Sequence, residues 1–206
     1  MTICAWCKEV ACAKEDHSGK PAGCPMGQGE WLSEALAEYE LTQNRAIAQV
    51  AAHTEKHGYC QWTRLQETAE FAAYAGYSKL GLAFCSGLHR EARIVADFFR
   101  HKGFAVVSAI CSAGGIHKET LDIKPEDRFN STGFEAMCNP IGQAKLCNEN
   151  DTDFNVVLGL CVGHDSLFFK YSKAPATVLA AKDRVLGHNP LAAVYCAHSY
   201  YAKLHK

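Results

Sequence analysis

The sequence predicts an α/β fold, and three observations carry that reading. Beyond Tyr77, short and continuously apolar runs alternate with helical patterns, as strands buried on both faces of a parallel sheet do. Glycine, or asparagine followed by proline, punctuates the joins between them, where helices stop and start. The chain has 206 residues, 48% of them hydrophobic and 21% charged, enough for one sizeable core and a small appendage. The expected architecture is a small doubly wound (Rossmann-like) parallel sheet of about four strands. A helical pair and a cysteine-rich N-terminal metal knuckle precede it, dividing the chain into residues 1–29 and 30–206.

Residues 1–29 hold Cys4, Cys7, Cys12 and Cys24 among glycine, proline and charge, without apolar periodicity. Such a segment cannot order itself without a staple. From Trp31 to about Lys56, Leu32, Leu36, Tyr39, Ala46 and Val50 mark one helical stripe. Thr63 with Gln66 three residues later reads as a capping box, opening a helix that runs to Ala75 and ends at Gly76. Then come a strand over Leu80–Phe84, a helix over Glu91–His101 closed by Gly103, and a strand over Phe104–Ile110. After an aperiodic stretch from Ser112 to Met137, Asn139-Pro140 opens a helix to about Glu149. A strand over Phe154–Leu160, a helix over His164–Tyr171, a strand over Pro175–Ala181 and a helix capped by Asn189-Pro190 complete the chain. The expected strand order is 2-1-3-4 with right-handed crossovers.

Charge and hydropathy exclude several functions. Lys plus Arg number 21 against 22 for Asp plus Glu, a formal net charge of -1. No basic field draws nucleic acid and no polybasic stretch holds a lipid surface. Apolar runs such as Phe104 to Cys111 are too short to span a bilayer. Met1-Thr2-Ile3-Cys4 lacks the pattern of a secretory leader, so a cytoplasmic protein is expected. Eleven cysteines in such a chain read as metal ligands or reactive groups rather than as disulfides.

Two cysteine sets stand out. The first, Cys4-x2-Cys7-x4-Cys12-x11-Cys24-Pro25, offers four thiols in a segment that ligation would fold. Zinc and iron–sulfur are its two candidates. A single C-x2-C knuckle counts against a zinc ribbon, and the closing Cys-Pro leans toward iron–sulfur. The second set comes from separate strands. The first three strands each end on a cysteine followed within three residues by glycine: Cys85-Ser86-Gly87, Cys111-Ser112-Ala113-Gly114 and Cys161-Val162-Gly163. Carboxyl ends of parallel strands share one rim, where ligands sit. Order 2-1-3-4 sets Cys85 beside Cys161, with Cys111 one strand away. Cys138, just before Asn139-Pro140, joins them at a helix amino end, a position that favours thiolate. Cys60, Cys147 and Cys196 lack that context and read as small hydrophobic residues. His164 and Asp165 follow Cys161, and Lys182-Asp183-Arg184 closes the last strand as a source of counterions.

At these residues the chain resembles an uncharacterised family of cysteine-rich proteins of anaerobic bacteria and archaea, labelled metal-binding. The matching strings are Cys4-x2-Cys7, Ala83-Phe84-Cys85-x-Gly87-Leu88 with Glu91-Ala92, and Cys138-Asn139-Pro140, followed by Gly159-Leu160-Cys161-Val162-Gly163-His164-Asp165 and Lys182-Asp183-Arg184-Val185-Leu186-Gly187-His188-Asn189-Pro190. The resemblance spans nearly the whole chain and implies metal binding without a reaction.

The function expected first is an iron–sulfur protein. A [4Fe–4S]-type cluster would lie on Cys85, Cys111, Cys138 and Cys161, and a second centre on Cys4, Cys7, Cys12 and Cys24. An iron left without a protein ligand would suit sulfur transfer or non-redox lyase chemistry on a small sulfur-containing or anionic substrate. His164 would then be acid/base, and Lys182 and Arg184 anion holders. A closed cluster suits electron transfer with a redox partner protein. The alternatives are a zinc protein that is structural or that stores or relays metal, and a free-thiol redox or persulfide carrier.

Overall fold

The computed structural model describes residues 4–205. Met1, Thr2 and Ile3, on which the reading of the amino terminus rests, lie outside the described residues. By internal contacts the chain divides into two compact units, Met1–Ala52 and His53–Lys206. In the first, short 3₁₀ turns over Cys4–Trp6, Ala11–Ala13 and Pro25–Gly27 precede helix α1 (Trp31–Glu38).

Where one helix is expected from Trp31 to Lys56, two form. The chain breaks after α1 and restarts as α2 (Thr42–Gly58), which runs on into the second unit. The break is stabilised locally: the Asn44 side-chain amide donates to the Glu38 carbonyl at 2.9 Å and Arg45 Nε to that of Tyr39 at 3.2 Å. The first turn of α2 thus satisfies carbonyls that α1 leaves open. Helix α3 (Arg64–Tyr74) starts on the expected capping box, with Thr63 and Gln66 satisfying each other's backbone N–H. It ends at Gly76, whose φ of +71° glycine adopts without strain.

The sheet has four parallel strands, β1 (Lys79–Phe84), β2 (Ala105–Ile110), β3 (Phe154–Leu158) and β4 (Ala176–Ala180), in the order β2-β1-β3-β4. The helices between them are α4 (His89–His101), α5 (Pro140–Glu149) and α6 (His164–Tyr171). Strand alternation sends Leu80, Leu82, Phe84, Val156 and Leu158 into one core layer with Ala69 and Ala72 of α3 and Val95 and Phe99 of α4. It sends Ala83 and Val157 to the opposite face, against Ala144 and Cys147 of α5 and Phe168 of α6. Helices therefore cover both faces, and the fold is doubly wound.

Asn139 caps α5, its side-chain carbonyl accepting the Gly142 N–H at 2.8 Å, with Pro140 in the first turn. Strand β3 stops at Leu158, short of the expected Leu160, because Gly159 turns the chain at φ +66°. A Cβ there would stand 2.2 Å from Leu88 Cδ1, so the bare glycine seats Leu88 across the strand end. The last helix, α7 (Leu191–Tyr195), starts after Pro190 with no side-chain cap; Asn189 contributes only a backbone carbonyl to the Ala192 N–H. Among the described residues no helix is long and apolar enough to cross a membrane.

Candidate metal centre

The carboxyl ends of β1, β2 and β3 reach the rim as the strand order requires, and each delivers a cysteine. Cys85 follows β1, its N–H bonded to the Leu158 carbonyl at 3.1 Å; Cys111 follows β2, its N–H on the Phe84 carbonyl at 2.8 Å. Cys138 comes in from the long segment. The residue after it, Asn139, donates its N–H to the Cys111 carbonyl at 2.6 Å, which ties the start of α5 to the end of β2. Cys85 and Cys111 are buried, Cys138 and Cys161 half-buried.

These four thiols belong to one interacting group. The Cys138 thiol donates to the Cys111 sulfur, the largest reason the Cys111 thiol is pulled down to about 5. Burial opposes that shift, while the Ser86 N–H, 3.2 Å from the Cys111 sulfur, and the Cys85 thiol reinforce it. Donating the hydrogen bond to Cys111, which ionisation would forfeit, holds the Cys138 thiol well above the ordinary thiol range. Burial and the negative charge of Cys111, Cys161 and Cys85 push it the same way. Arg184 Nη2 donates to the Cys161 sulfur at 3.2 Å, and that contact, with the charge of Cys161, Cys85 and Cys138, keeps the guanidinium firmly protonated. Among the described residues no three His, Cys, Asp or Glu side chains are arranged to hold a single metal ion.

Metal-free protein should therefore show one thiol ionising near pH 5 in its ultraviolet thiolate absorbance, and Cys111→Ser should abolish that step. Cys111, depressed, stabilises the fold fully above the ordinary thiol value of 9.0 and progressively less as pH falls through about 5. Cys138, raised, contributes below the ordinary range and loses its contribution above it. Denaturation midpoints of the metal-free protein should thus climb from pH 5 toward 9 and fall beyond. A flat profile, or an unchanged one in Cys111→Ser, would contradict the shared proton.

The other expected residues occupy varied positions. His164 opens α6, half-buried, its N–H on the Cys161 carbonyl at 3.0 Å. Lys182 Nζ lies 3.6 Å from where a Cβ of Gly159 would stand, next to the rim. Asp183 is a scaffold: its carboxylate accepts the N–H of Val185 (2.9 Å) and Leu186 (2.8 Å), and its own N–H donates to His188 Nδ1 at 3.1 Å. This closed turn carries Arg184. Cys4, Cys7, Cys12 and Cys24 all lie in the first compact unit, exposed or half-buried, with Cys24 directly before the Pro25–Gly27 turn. Cys147 is buried below the rim, beside Gly81, and burial pushes its thiol up to about 11. Cys60 differs from expectation: it is exposed, at φ +56°, in the turn after α2.

A residue that sequence reasoning passed over is Gln143. It is 0% exposed, and its Nε2 donates to the carbonyls of both Phe84 (3.1 Å) and Ala109 (2.6 Å). One amide on α5 thereby clamps the strand ends that bear Cys85 and Cys111. Its Oε1 has no hydrogen-bond partner among the described residues. Its signal in the sequence is a lone polar side chain on the apolar stripe of Pro140, Ala144 and Cys147.

Residues 24–179 match a family model described as "Protein of unknown function (DUF1847)". The chain belongs to that family. The matched span holds Cys24 and all four rim cysteines; Cys4, Cys7 and Cys12 precede it, and Lys182 and Arg184 follow it. The chain is also similar to an uncharacterized protein of Methanocaldococcus jannaschii, 42% identical over 200 residues that cover 97% of this chain and 96% of the relative. No solved structure matches. Neither description names a ligand or a reaction.

Proposed function

We propose that this is a cytoplasmic iron–sulfur protein. Cys85, Cys111, Cys138 and Cys161 would hold a [4Fe–4S]-type cluster at the rim of the sheet, and Cys4, Cys7, Cys12 and Cys24 a second metal centre. The observation that carries the reading is the placing of four cysteines from separate segments at one end of the sheet: Cys85 and Cys111 directly after neighbouring strands, Cys138 beside the Asn139 N–H that binds the Cys111 carbonyl, and Cys161 shortly after β3. The donor set fits a thiophilic group: the sulfurs are soft, and the Ser86 N–H already meets the Cys111 sulfur, the kind of bond that stabilises ligated thiolate. Since no three of these side chains are already arranged to hold one ion, loading has to draw the thiols around a common centre.

When bound, such a group supplies either one-electron transfer or a Lewis acid for a small sulfur-containing or anionic substrate. The chain's own residues would do the rest. Arg184, exposed beside Cys161, and Lys182 would hold the anion, while His164 moves a proton at its imidazole. With all four thiols engaged, exchange with a redox partner protein is the use that remains. The depressed Cys111 thiol, paired with Cys138, also supports a second reading, a free-thiol or persulfide-carrying couple.

Anaerobic purification followed by iron, zinc and acid-labile sulfide analysis per chain separates these readings. The iron–sulfur reading expects brown protein with about four iron and four sulfide for the rim cluster. Zinc without sulfide would replace it with a structural or metal-relaying zinc protein. Metal-free protein whose thiols all titrate before chelation would leave the free-thiol couple.

A further inference from the structure

The two outer edges of the sheet are finished differently. On β4 the Val178 carbonyl accepts a hydrogen bond from Arg64 Nε at 3.4 Å, and Arg64 Nη2 donates to the Thr177 hydroxyl at 2.6 Å. The β3–β4 register also slips between Val157 and Leu158. A covering side chain and an irregular register are ways proteins blunt an edge. Strand β2 has neither. Its ladder with β1 is regular over all six residues, Ala105 through Ile110, and contains no charge, proline or bulge. The N–H of Ala105 bonds to the Ser78 carbonyl and that of Cys111 to the Phe84 carbonyl, which fixes the parity of the ladder. Odd-numbered residues face β1, so Val106 and Ser108 turn their N–H and C=O groups outward. Among the described residues nothing meets those groups.

Beside this edge runs a cleft of about 190 Å³ between β2 and the flank of α4, lined by Phe84, His89, Arg93, Ala96, Arg100 and Ser108. Two guanidiniums and an imidazole line it, without a carboxylate. Asp97 meets Arg100 at 3.5 Å with both side chains half-exposed, and no ion pair involves Arg93 among the described residues. An open ladder next to a helix-walled groove is the geometry of β-strand addition: main-chain bonds hold an extended segment while the groove reads alternate side chains. The charge selects the occupant. A second copy of this chain, paired about a two-fold axis, would set the Arg93 and Arg100 row against itself. An acidic segment is complementary.

We propose that the open edge of β2 and the basic flank of α4 form a docking groove for an extended acidic segment of a partner protein. The segment adds a strand beyond β2 and sets carboxylates against Arg93 and Arg100. Phe84 lines the groove and directly precedes Cys85, so the docked partner lies beside the rim. The inference is independent of any metal there.

The test is fluorescence anisotropy with a labelled synthetic peptide that alternates aspartate and valine, blocked at both ends, and a lysine–valine counterpart. The acidic peptide should bind saturably and the basic one should not. Arg93→Glu/Arg100→Glu should weaken binding about a hundredfold, two charge reversals at a close contact. Ser108→Pro removes one outward N–H while leaving the bonds to β1, and should weaken it about tenfold. If circular dichroism shows that Ser108→Pro does not fold, the arginine pair, exposed on α4, decides alone. An acidic peptide unbound at millimolar concentration, or bound equally by the double variant, overturns the proposal. So does saturation of the same arginines by inorganic phosphate with no peptide binding, or a dimer that Ser108→Pro dissolves.

Discussion

Cys161→Ser should strip the protein of the proposed rim centre and leave the proposed N-terminal centre loaded. The side chain is half-buried at the end of β3, touches Arg184, and bears no structural load comparable to that of Cys85 or Cys111 in the core layer. Serine nearly conserves the volume but offers a hard, protonated oxygen where a soft thiolate is needed. The loss should therefore appear as missing iron and sulfide rather than as unfolding. If both cysteine sets hold clusters of one kind, iron and sulfide per chain drop by roughly half. Cys4→Ser should remove the other share. Cys147→Ser, buried below the rim, should leave metal content alone and lower stability instead. Unchanged iron in Cys161→Ser would show that this cysteine is not a ligand.

The largest stability effect should come from Gly81→Ala in β1. A Cβ there would sit 2.0 Å from Asn155 Oδ1 and 2.8 Å from the Cys147 sulfur. Neither neighbour can give way easily. Asn155 is fully buried, accepts the Thr152 hydroxyl at 2.8 Å and donates to the Ser172 hydroxyl at 2.8 Å, and Ser172 in turn donates to the Ala174 carbonyl at 2.8 Å. Alanine's gain in strand propensity is worth well under about 1 kcal/mol, whereas overpacking a fixed core site costs about 3 kcal/mol. Denaturant midpoints should fall with an unchanged slope. In the double variant with Asn155→Ala the losses should be less than additive, because the second change opens the space that the first one needs. Full additivity would mean the clash is relieved elsewhere.

What could be read in the sequence was whatever depends on local pattern. The four strands followed from continuous apolar runs, and helix starts from the capping box at Thr63 and from Asn139-Pro140, each of which acts within a few residues; the strand order rested instead on the general topology of doubly wound sheets. The break between α1 and α2 was not legible. The stripe from Leu32 to Val50 keeps its period through Tyr39, and only the side chains of Asn44 and Arg45, folding back onto α1, reveal the corner. The long segment after β2 looked structureless because its order is tertiary. Arg128, with 5% of its side chain exposed, ties it together through the Ile123 carbonyl and Glu119, and His117 bridges to Ala136. Sequence spacing named the four rim cysteines. It could not disclose that Ser86 would donate to one sulfur, or that Arg184, not Lys182, would touch another.

The double hydrogen bond of Gln143 has a mechanical corollary. One rigid amide is fastened to two neighbouring strand tips, and its helix begins at the residue that grips the Cys111 carbonyl. Three of the sulfur-bearing segments are thus geared together, so a displacement of α5 is shared by all of them. A change that moves this helix therefore reaches Cys85, Cys111 and Cys138 together rather than one at a time.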